Sequence, residues 1–193
     1  MCEMPRALSI AMFAVALLVE PAFATVTVPT EFREVVADSI IIVRGHVTDV
    51  RAVADRDRGV ETIGTIAVDE TLKGPASDFV SIRLPGGTIG RYRWVMVGVP
   101  TLRTGDQGIF FLKQDAATFW RPVGLGMGIY RILAAPVTGL PVVDPPVALD
   151  VTAKPGVVTR GDPARRLLAV PDFESLVRVV VASQSSPGRQ AGR

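Results

Sequence analysis

The stretch IIIVRGHVTDV at Ile40–Val50 carries the strongest evidence for the fold. It is rich in β-branched residues, which fit the pleated, half-buried surface of a sheet, so it predicts a strand. Ile41, Val43 and Val47 fall on one face of this strand. Gly45 falls on the same face, and a glycine inside a strand often marks a bulge or a sharp bend. The stretch therefore predicts a strand that bends.

Short apolar runs separated by Gly and Pro continue this pattern towards the C-terminus. They predict further strands over Thr62–Leu72, Phe79–Leu84, Arg91–Val97, Gly108–Lys113, Phe119–Val123 and Gly128–Ile132. Gly108–Lys113 is apolar on both faces, which indicates a central strand. Several short strands with Gly/Pro turns predict an all-β barrel or sandwich. A parallel doubly wound sheet is not favoured, because no strand alternates with a long helix.

The predicted β-barrel domain covers 25–133, and one helix is expected near its start and another closer to the C-terminus of the chain. A short helix over Glu31–Ala37 is expected near the start, with Thr30 as its N-cap. Residues 134–170 are rich in Pro, Gly and Val and predict an extended arm with little core of its own. A C-terminal helix is predicted over 171–183, with an apolar stripe on one face. Residues 184–193 predict a disordered tail.

The first 24 residues have the pattern of a secretory signal peptide. Arg6 precedes the nearly unbroken apolar run Ala7–Val19, and Pro21–Ala24 supplies small residues before a cleavage expected after Ala24. The alternative is a membrane-anchoring helix. The apolar run is well short of the ~20 residues that span a bilayer, so cleavage and export are favoured. We expect the mature protein in the periplasm or outside the cell, with no stable membrane span.

Removal of this segment also removes Cys2, the only cysteine. A mature chain without cysteine excludes disulfides, zinc–thiolate sites and cysteine nucleophiles. The net charge of +2 becomes +3, with 20 basic and 17 acidic residues remaining. This mild charge and the expected export do not favour nucleic acid as a partner.

Five short runs resemble a domain of exported bacterial proteins. They are ADSIIIVRGHV at Ala37–Val47, VDETLKGP at Val68–Pro75, LPGG at Leu84–Gly87, GVP at Gly98–Pro100 and GDQGIFFL at Gly105–Leu112. The first two are similar as well to the N-terminal domain of tissue inhibitors of metalloproteinases. The resemblance covers about residues 31–132.

The resemblance implies an OB-like Greek-key barrel of five to six strands whose first long strand is strongly bent. It does not imply protease inhibition. In that family a cysteine at the mature N-terminus reaches the protease zinc, whereas the expected N-terminus here is Thr25. No inhibitory residue is carried over.

The residue types that often perform catalysis or bind metals are present, but the partner residues and motifs that such sites need are missing from the sequence. His46 is the only histidine, no Gly-x-Ser-x-Gly motif is present, and zinc sites commonly need several histidines. The loop that starts at Asp55 does not fit a calcium loop, since its sixth and twelfth positions are Val60 and Ile66. Asp69 and Glu70 are expected on opposite faces of a strand. We therefore predict no catalytic residue, no metal and no cofactor.

Two Gly-rich runs, Gly86–Gly90 and Gly124–Gly128, do not fit a phosphate-binding loop. Such loops need a strand before the glycines and a helix after them, but predicted strands follow both runs. They are interpreted as turns, bulges or barrel corners.

A cluster of basic and aromatic residues is the candidate binding site, and Arg83, Arg91, Arg93 and Trp94 are its candidate binding residues. OB-type barrels bind ligands through aromatic stacking and basic grooves. In the alternative, which the pattern favours, Tyr92 and Trp94 share a face with Met96 and pack inside the barrel while the arginines are solvated at its rim.

These observations predict an exported, non-catalytic binding module whose partner is an envelope protein or a glycan. One alternative is an inhibitor of secreted peptidases that inserts a segment such as Pro85–Arg91 into a protease cleft, suggested by fold analogy alone. A second alternative is an enzyme with a carboxylate site of unfamiliar type.

Overall fold

A computed structural model of the chain describes residues 31–55, 59–116, 118–146 and 166–185. The predicted signal peptide, its cleavage site, Thr30 and residues 186–193 of the predicted tail lie outside these residues, whereas residues 184 and 185 belong to the C-terminal helix. The elements in chain order are α1 (Phe32–Asp38), β1 (Ile41–Asp55), β2 (Gly59–Lys73), β3 (Phe79–Pro85), β4 (Gly87–Ile89), β5 (Tyr92–Trp94), β6 (Gln107–Ala116), β7 (Phe119–Pro122), a 3-10 helix (Leu125–Gly128), β8 (Ile129–Ala134), β9 (Pro141–Asp144), β10 (Leu168–Ala169) and α2 (Val170–Ser185).

Five of the strands form an OB-like barrel in the order β1-β2-β3-β7-β6-β1. All neighbours are antiparallel except β3 and β7, which run parallel and meet at one residue pair, Ile82 with Trp120. The barrel is therefore closed unevenly, with its weakest seam between β3 and β7. The predicted all-β Greek-key fold with a helix at each end is confirmed.

The long strand β1 bends because it pairs with two different strands. It pairs with β2 along its length, while Ile41–His46 also pairs with β6. The β1–β2 register shifts at three places, one of them between Arg44 and Gly45. A Cβ at Gly45 would collide with the carbonyl oxygen of Ala67. Glycine therefore allows the two strands to approach closely at the irregularity that its position in the strand predicts.

The sheet separates two apolar cores, one inside the barrel and one beneath the helices. The barrel core contains Ile41, Val43, Val47, Ile66, Val80, Ile82, Leu84, Leu102, Phe110, Leu112 and Ile129. The outer core contains residues of both helices together with Ile42, Leu72, Ile109, Phe111, Val123, Tyr130 and Val143. Phe110 and Phe111 are adjacent and both fully buried, one in each core. The prediction that β6 is a central strand is confirmed.

The N-terminus of α1 is one residue later than expected. Glu31 is the N-cap, and its backbone N–H donates to Glu34 Oε2 at 3.3 Å. The Glu31 side chain in turn accepts from the backbone N–H of Glu34, which completes a capping box. The prediction of Thr30 as the cap was wrong, because glutamate side chains take the place of a hydroxyl in this box. Phe32, Val35 and Val36 form the buried face of the helix.

Part of the region 134–170 belongs to the sheet, which differs from the expected extended arm. β8 ends at Ala134, β9 pairs with β8, and β10 pairs with β9. Val143 of β9 is buried in the outer core, so this part contributes to the packed interior. Residues 147–165 lie outside the described part of the chain. α2 begins at Val170, directly after β10.

Lys73 at the end of β2 is held against the end of α1, where its Nζ donates to Val36 O at 2.7 Å. Burial lowers the pKa of Lys73 from its ordinary value of 10.5, and the carboxylate of Asp38 opposes this only in part. Between the lowered pKa and 10.5 the unfolded chain binds more protons than the folded chain. The free energy of unfolding should therefore rise with pH across that window.

Urea unfolding at a series of pH values tests this expectation against Lys73→Met, which removes the titrating group. The wild-type free energy minus that of the variant should increase as the pH approaches 10.5. A difference that stays flat or decreases over this window would contradict the sign of the shift.

Candidate functional site

A groove lies beside the barrel where the β1–β2 ribbon, the end of β3 and the β4–β5 hairpin meet. It has a volume of about 410 Å³ and is open to solvent. We call it the hairpin groove. Its lining residues are Val50, Ala52, Thr62, Leu84, Pro85, Gly86, Gly87, Thr88, Arg93, Trp94, Val95, Met96, Val99, Pro100, Thr101 and Leu102.

The floor of the hairpin groove is positioned by alternation along the barrel strands. Leu84 is buried and also belongs to the barrel core, as does Leu102. Thr62 on β2 donates from Oγ1 to Gly86 O at 2.7 Å, and Gly86 N donates to Val60 O at 2.8 Å. These bonds attach the start of the hairpin to the β1–β2 ribbon.

The β4–β5 hairpin forms one wall of the groove. Its two-residue turn has Gly90 at the first central position with φ 57°, which suits a type II′ turn. Gly87 lies so close to the ribbon that a Cβ there would be 2.9 Å from Thr62 Oγ1 and 3.2 Å from the Ala52 Cβ. The indole of Trp94 lies over Gly59 at the far end of the ribbon, 3.0 Å from where a Cβ would be. The hairpin is therefore in contact with β1 and β2.

The aromatic residues of this hairpin are exposed, so the prediction that they pack inside the barrel was wrong. Tyr92 is 65% exposed, Trp94 54% and Met96 42%. Only Tyr92–Trp94 of the predicted strand Arg91–Val97 is extended and paired. The barrel core is already filled by side chains of β1, β2, β3, β6 and β8 together with Leu102, which leaves the hairpin outside it.

Arg91 and Arg93 extend from the same hairpin. Arg91 donates from Nη2 to the hydroxyl of Tyr92 at 2.9 Å, and its guanidinium lies 5.1 Å from the centre of that ring. Arg93 lines the hairpin groove and is the only charged residue among its lining residues in the described part of the chain. Three of the four candidate binding residues, Arg91, Arg93 and Trp94, therefore lie together.

Arg83, the fourth candidate, lies elsewhere. It follows Ile82 and precedes Leu84 on β3, so alternation places it on the outer face of the strand. Its Nε is 3.4 Å from Glu61 Oε2, and its guanidinium is 4.3 Å from the centre of the Phe119 ring. Asp115 also reaches it at 3.9 Å. Arg83 thus connects β2, β3, β6 and β7 and is a structural residue outside the groove.

The adjacent carboxylates Asp69 and Glu70 face the same side of β2, which corrects the expectation of opposite faces. Arg44 is paired in register with Glu70 and Gly45 with Val68, so Asp69 is the extra residue of a bulge. Asp69 lies 3.4 Å from Arg44 Nη1 and 3.3 Å from His46 Nδ1.

The network that contains these carboxylates continues onto α2. Arg44 donates from Nε to Glu174 Oε1 at 2.7 Å, and Arg178 donates from Nη2 to Glu70 Oε1 at 2.8 Å. Each carboxylate contacts an arginine, and the arrangement joins the helix to the barrel. His46 lies at its edge with its side chain 44% exposed. The geometry is that of an ion network between sheet and helix.

Within 31–55, 59–116, 118–146 and 166–185 no group of three or more His, Cys, Asp or Glu residues is placed to hold a metal ion. None of the helices in these ranges has both the length and the apolar character required to cross a bilayer. The Asp55 loop lies partly outside these ranges.

Comparison with known proteins assigns no family. No protein-family model matches the chain, and no curated protein matches it significantly.

Proposed function

We propose that the protein is an exported, non-catalytic binding module that captures a protein or a glycan of the cell envelope with the hairpin groove. The signal-peptide pattern of the first 24 residues supports export. The OB-like barrel supplies a rigid support for the groove. The similarity of short motifs to exported bacterial domains is consistent with this function.

The observation that carries the proposal is the exposed apolar surface along the groove wall. Val95, which lines the groove and follows the exposed Trp94, is 67% exposed, and Val97, two residues further on, is 87% exposed. Soluble proteins seldom leave contiguous apolar surface in water unless it takes part in an interaction. Tyr, Trp and Arg, which surround this surface, are the residue types that carry most binding energy in interfaces.

Peptidase inhibition receives less support from the geometry. The segment proposed for insertion, Pro85–Arg91, contains β4, which is paired with β5 over Gly87–Ile89. A strand already engaged in a hairpin must release this pairing before it enters a cleft as an extended segment. We therefore favour binding in the groove.

Site-specific photocrosslinking in the native envelope tests the proposal. A photoreactive phenylalanine analogue at Val97 is expected to form defined adducts with an envelope component, because Val97 is exposed beside the groove. The matched control is the same analogue at Val179, which is 65% exposed on α2. Adducts of Val97 that also require Trp94 would support binding by the groove.

The Trp94 requirement is measured by combining the crosslinker at Val97 with Trp94→Ala. The adduct yield should fall at least several-fold, since a buried interface aromatic commonly contributes 2 kcal/mol or more, roughly a 30-fold change in affinity. Identical adducts from Val97 and Val179, or none from Val97, would contradict a binding role for this surface.

A further inference from the structure

The geometry points to an extended polypeptide segment as the occupant of the hairpin groove, one that carries apolar residues together with aspartate or glutamate and whose carboxylate pairs with Arg93. This inference rests on the proposed binding function and specifies its partner. It is derived from the charge of the groove, the chemistry of its lining and its concave shape.

The segment that supplies the hairpin and most of the groove lining carries basic residues and no acidic residue. The chain between Asp78 and Asp106 contains Arg83, Arg91, Arg93 and Arg103 and no acidic residue. Within the described parts of the chain, Arg91, Arg93 and Arg103 form no ion pair with a carboxylate. These three guanidinium groups therefore remain available to an anionic partner, and arginine is well suited to pair with a carboxylate in two-point geometry.

The lining of the groove is poor in the groups that bind sugar hydroxyls. Apart from Arg93, the polar side-chain groups of the lining are the indole N–H of Trp94 and the hydroxyls of Thr62, Thr88 and Thr101. The Thr62 hydroxyl is already bonded to Gly86 O. The whole chain contains no asparagine. A glycan would leave many hydroxyls without partners in such a groove, which costs affinity for each unsatisfied group. This lining favours apolar side chains over sugar rings.

The remaining contacts suit a polypeptide. Trp94 and Met96 present large, adaptable apolar side chains, and Leu84 lies on the groove floor. Methionine repacks readily around different apolar side chains. A concave groove of about 410 Å³ suits a few residues of an extended chain, whereas a flat lipid surface would contact only its rim. Recognition of acidic segments by arginine is a recurrent mode of peptide binding.

The experiment selects peptides from a phage-displayed random dodecapeptide library on the purified chain. Fluorescein-labelled versions of the selected peptides are then titrated by fluorescence polarisation. We expect enrichment of Asp or Glu beside apolar residues, and affinity that weakens as salt is raised. Arg93→Glu should weaken binding by about tenfold or more, and Arg93→Lys by less.

The matched control is Arg51→Glu, which changes the net charge equally. Arg51 lies between Val50 and Ala52, which line the groove, so alternation directs it to the other face of the exposed strand. Its peptide affinity should stay within about twofold of the wild type. Circular dichroism of each variant verifies that the barrel is folded.

The possible outcomes separate the acidic-segment inference from the proposed binding function. Peptides without acidic residues, or peptides that bind Arg93→Glu as well as the wild type, would overturn the acidic-segment inference and leave the binding function standing. The same holds if no peptide is selected but sulfated or uronic-acid glycans bind in a Trp94-dependent manner. Binding only to vesicles of phosphatidylglycerol, or to none of these probes, would overturn both claims.

Discussion

Replacing Phe173 with alanine is expected to lower the free energy of unfolding by about 3–5 kcal/mol. Phe173 is fully buried on α2, with ring centroids 5.6 Å from Phe32, 5.0 Å from Tyr130 and 6.4 Å from Phe111. Removal of its ring leaves a cavity at the centre of this aromatic cluster. The three remaining rings belong to different elements, so they cannot collapse into the space without moving α1 or the sheet.

Urea unfolding followed by circular dichroism measures this loss. A domain of this size has a total stability of about 5–15 kcal/mol, so the midpoint should shift strongly. Val179→Ala on the same helix is the control, because Val179 is 65% exposed, and it should change stability by less than about 0.5 kcal/mol. A Phe173→Ala loss below about 1 kcal/mol would mean that α2 is not packed on the barrel as described.

Replacing Gly45 with alanine is expected to destabilise the barrel by about 3 kcal/mol, the upper end of the range for overpacking. The added Cβ meets the backbone carbonyl of Ala67 and the Ile66 side chain. A side chain could rotate away, but the Ala67 carbonyl is part of β2. The two strands must therefore separate where β1 bends.

Thermal and urea unfolding of Gly45→Ala test this effect, with Asp49→Ala on the exposed part of the same strand as the control. Asp49→Ala should stay within about 0.5 kcal/mol of the wild type, as expected for a surface substitution. Equal stabilities for the two variants would show that the close approach of β1 and β2 is not needed. Loss of pairing between β1 and β2 should appear as faster hydrogen exchange of amides near the bend, where Gly45 pairs with Val68 and His46 with Ala67.

Much of the barrel was predictable because its strands are specified by residues that are neighbours in the sequence. The β-branched run at Ile40–Val50 and the doubly apolar run at Gly108–Lys113 each predict a strand from neighbouring residues alone. Gly45 was recognised as a bend because a strand interior seldom contains glycine. Ile66 and Val80 stand in apolar–polar alternation within the predicted strands Thr62–Leu72 and Phe79–Leu84, and both are buried in the barrel core.

The candidate site was only partly predictable because it depends on contacts between distant segments. Tyr92 and Trp94 alternate as buried residues of a strand would, yet the barrel interior was already filled. Arg83 is close in sequence to Arg91 but lies on the other face of β3, paired with Glu61. A bulge at Asp69 also reversed the expected direction of one carboxylate, and bulges leave little trace in a single sequence.

Side-chain alternation, β-branched composition and the spacing of Gly and Pro were sufficient to establish an all-β chain with a bent first strand and a helix at each end. The hairpin groove arises from folding, because Val50, Leu84 and Leu102 approach one another only when the barrel closes. Trp94 is exposed for a related reason, because the closed barrel has no space left for its side chain. The local sequence pattern shows which side chains are apolar. The limited volume inside a closed barrel determines which of these side chains remain outside it.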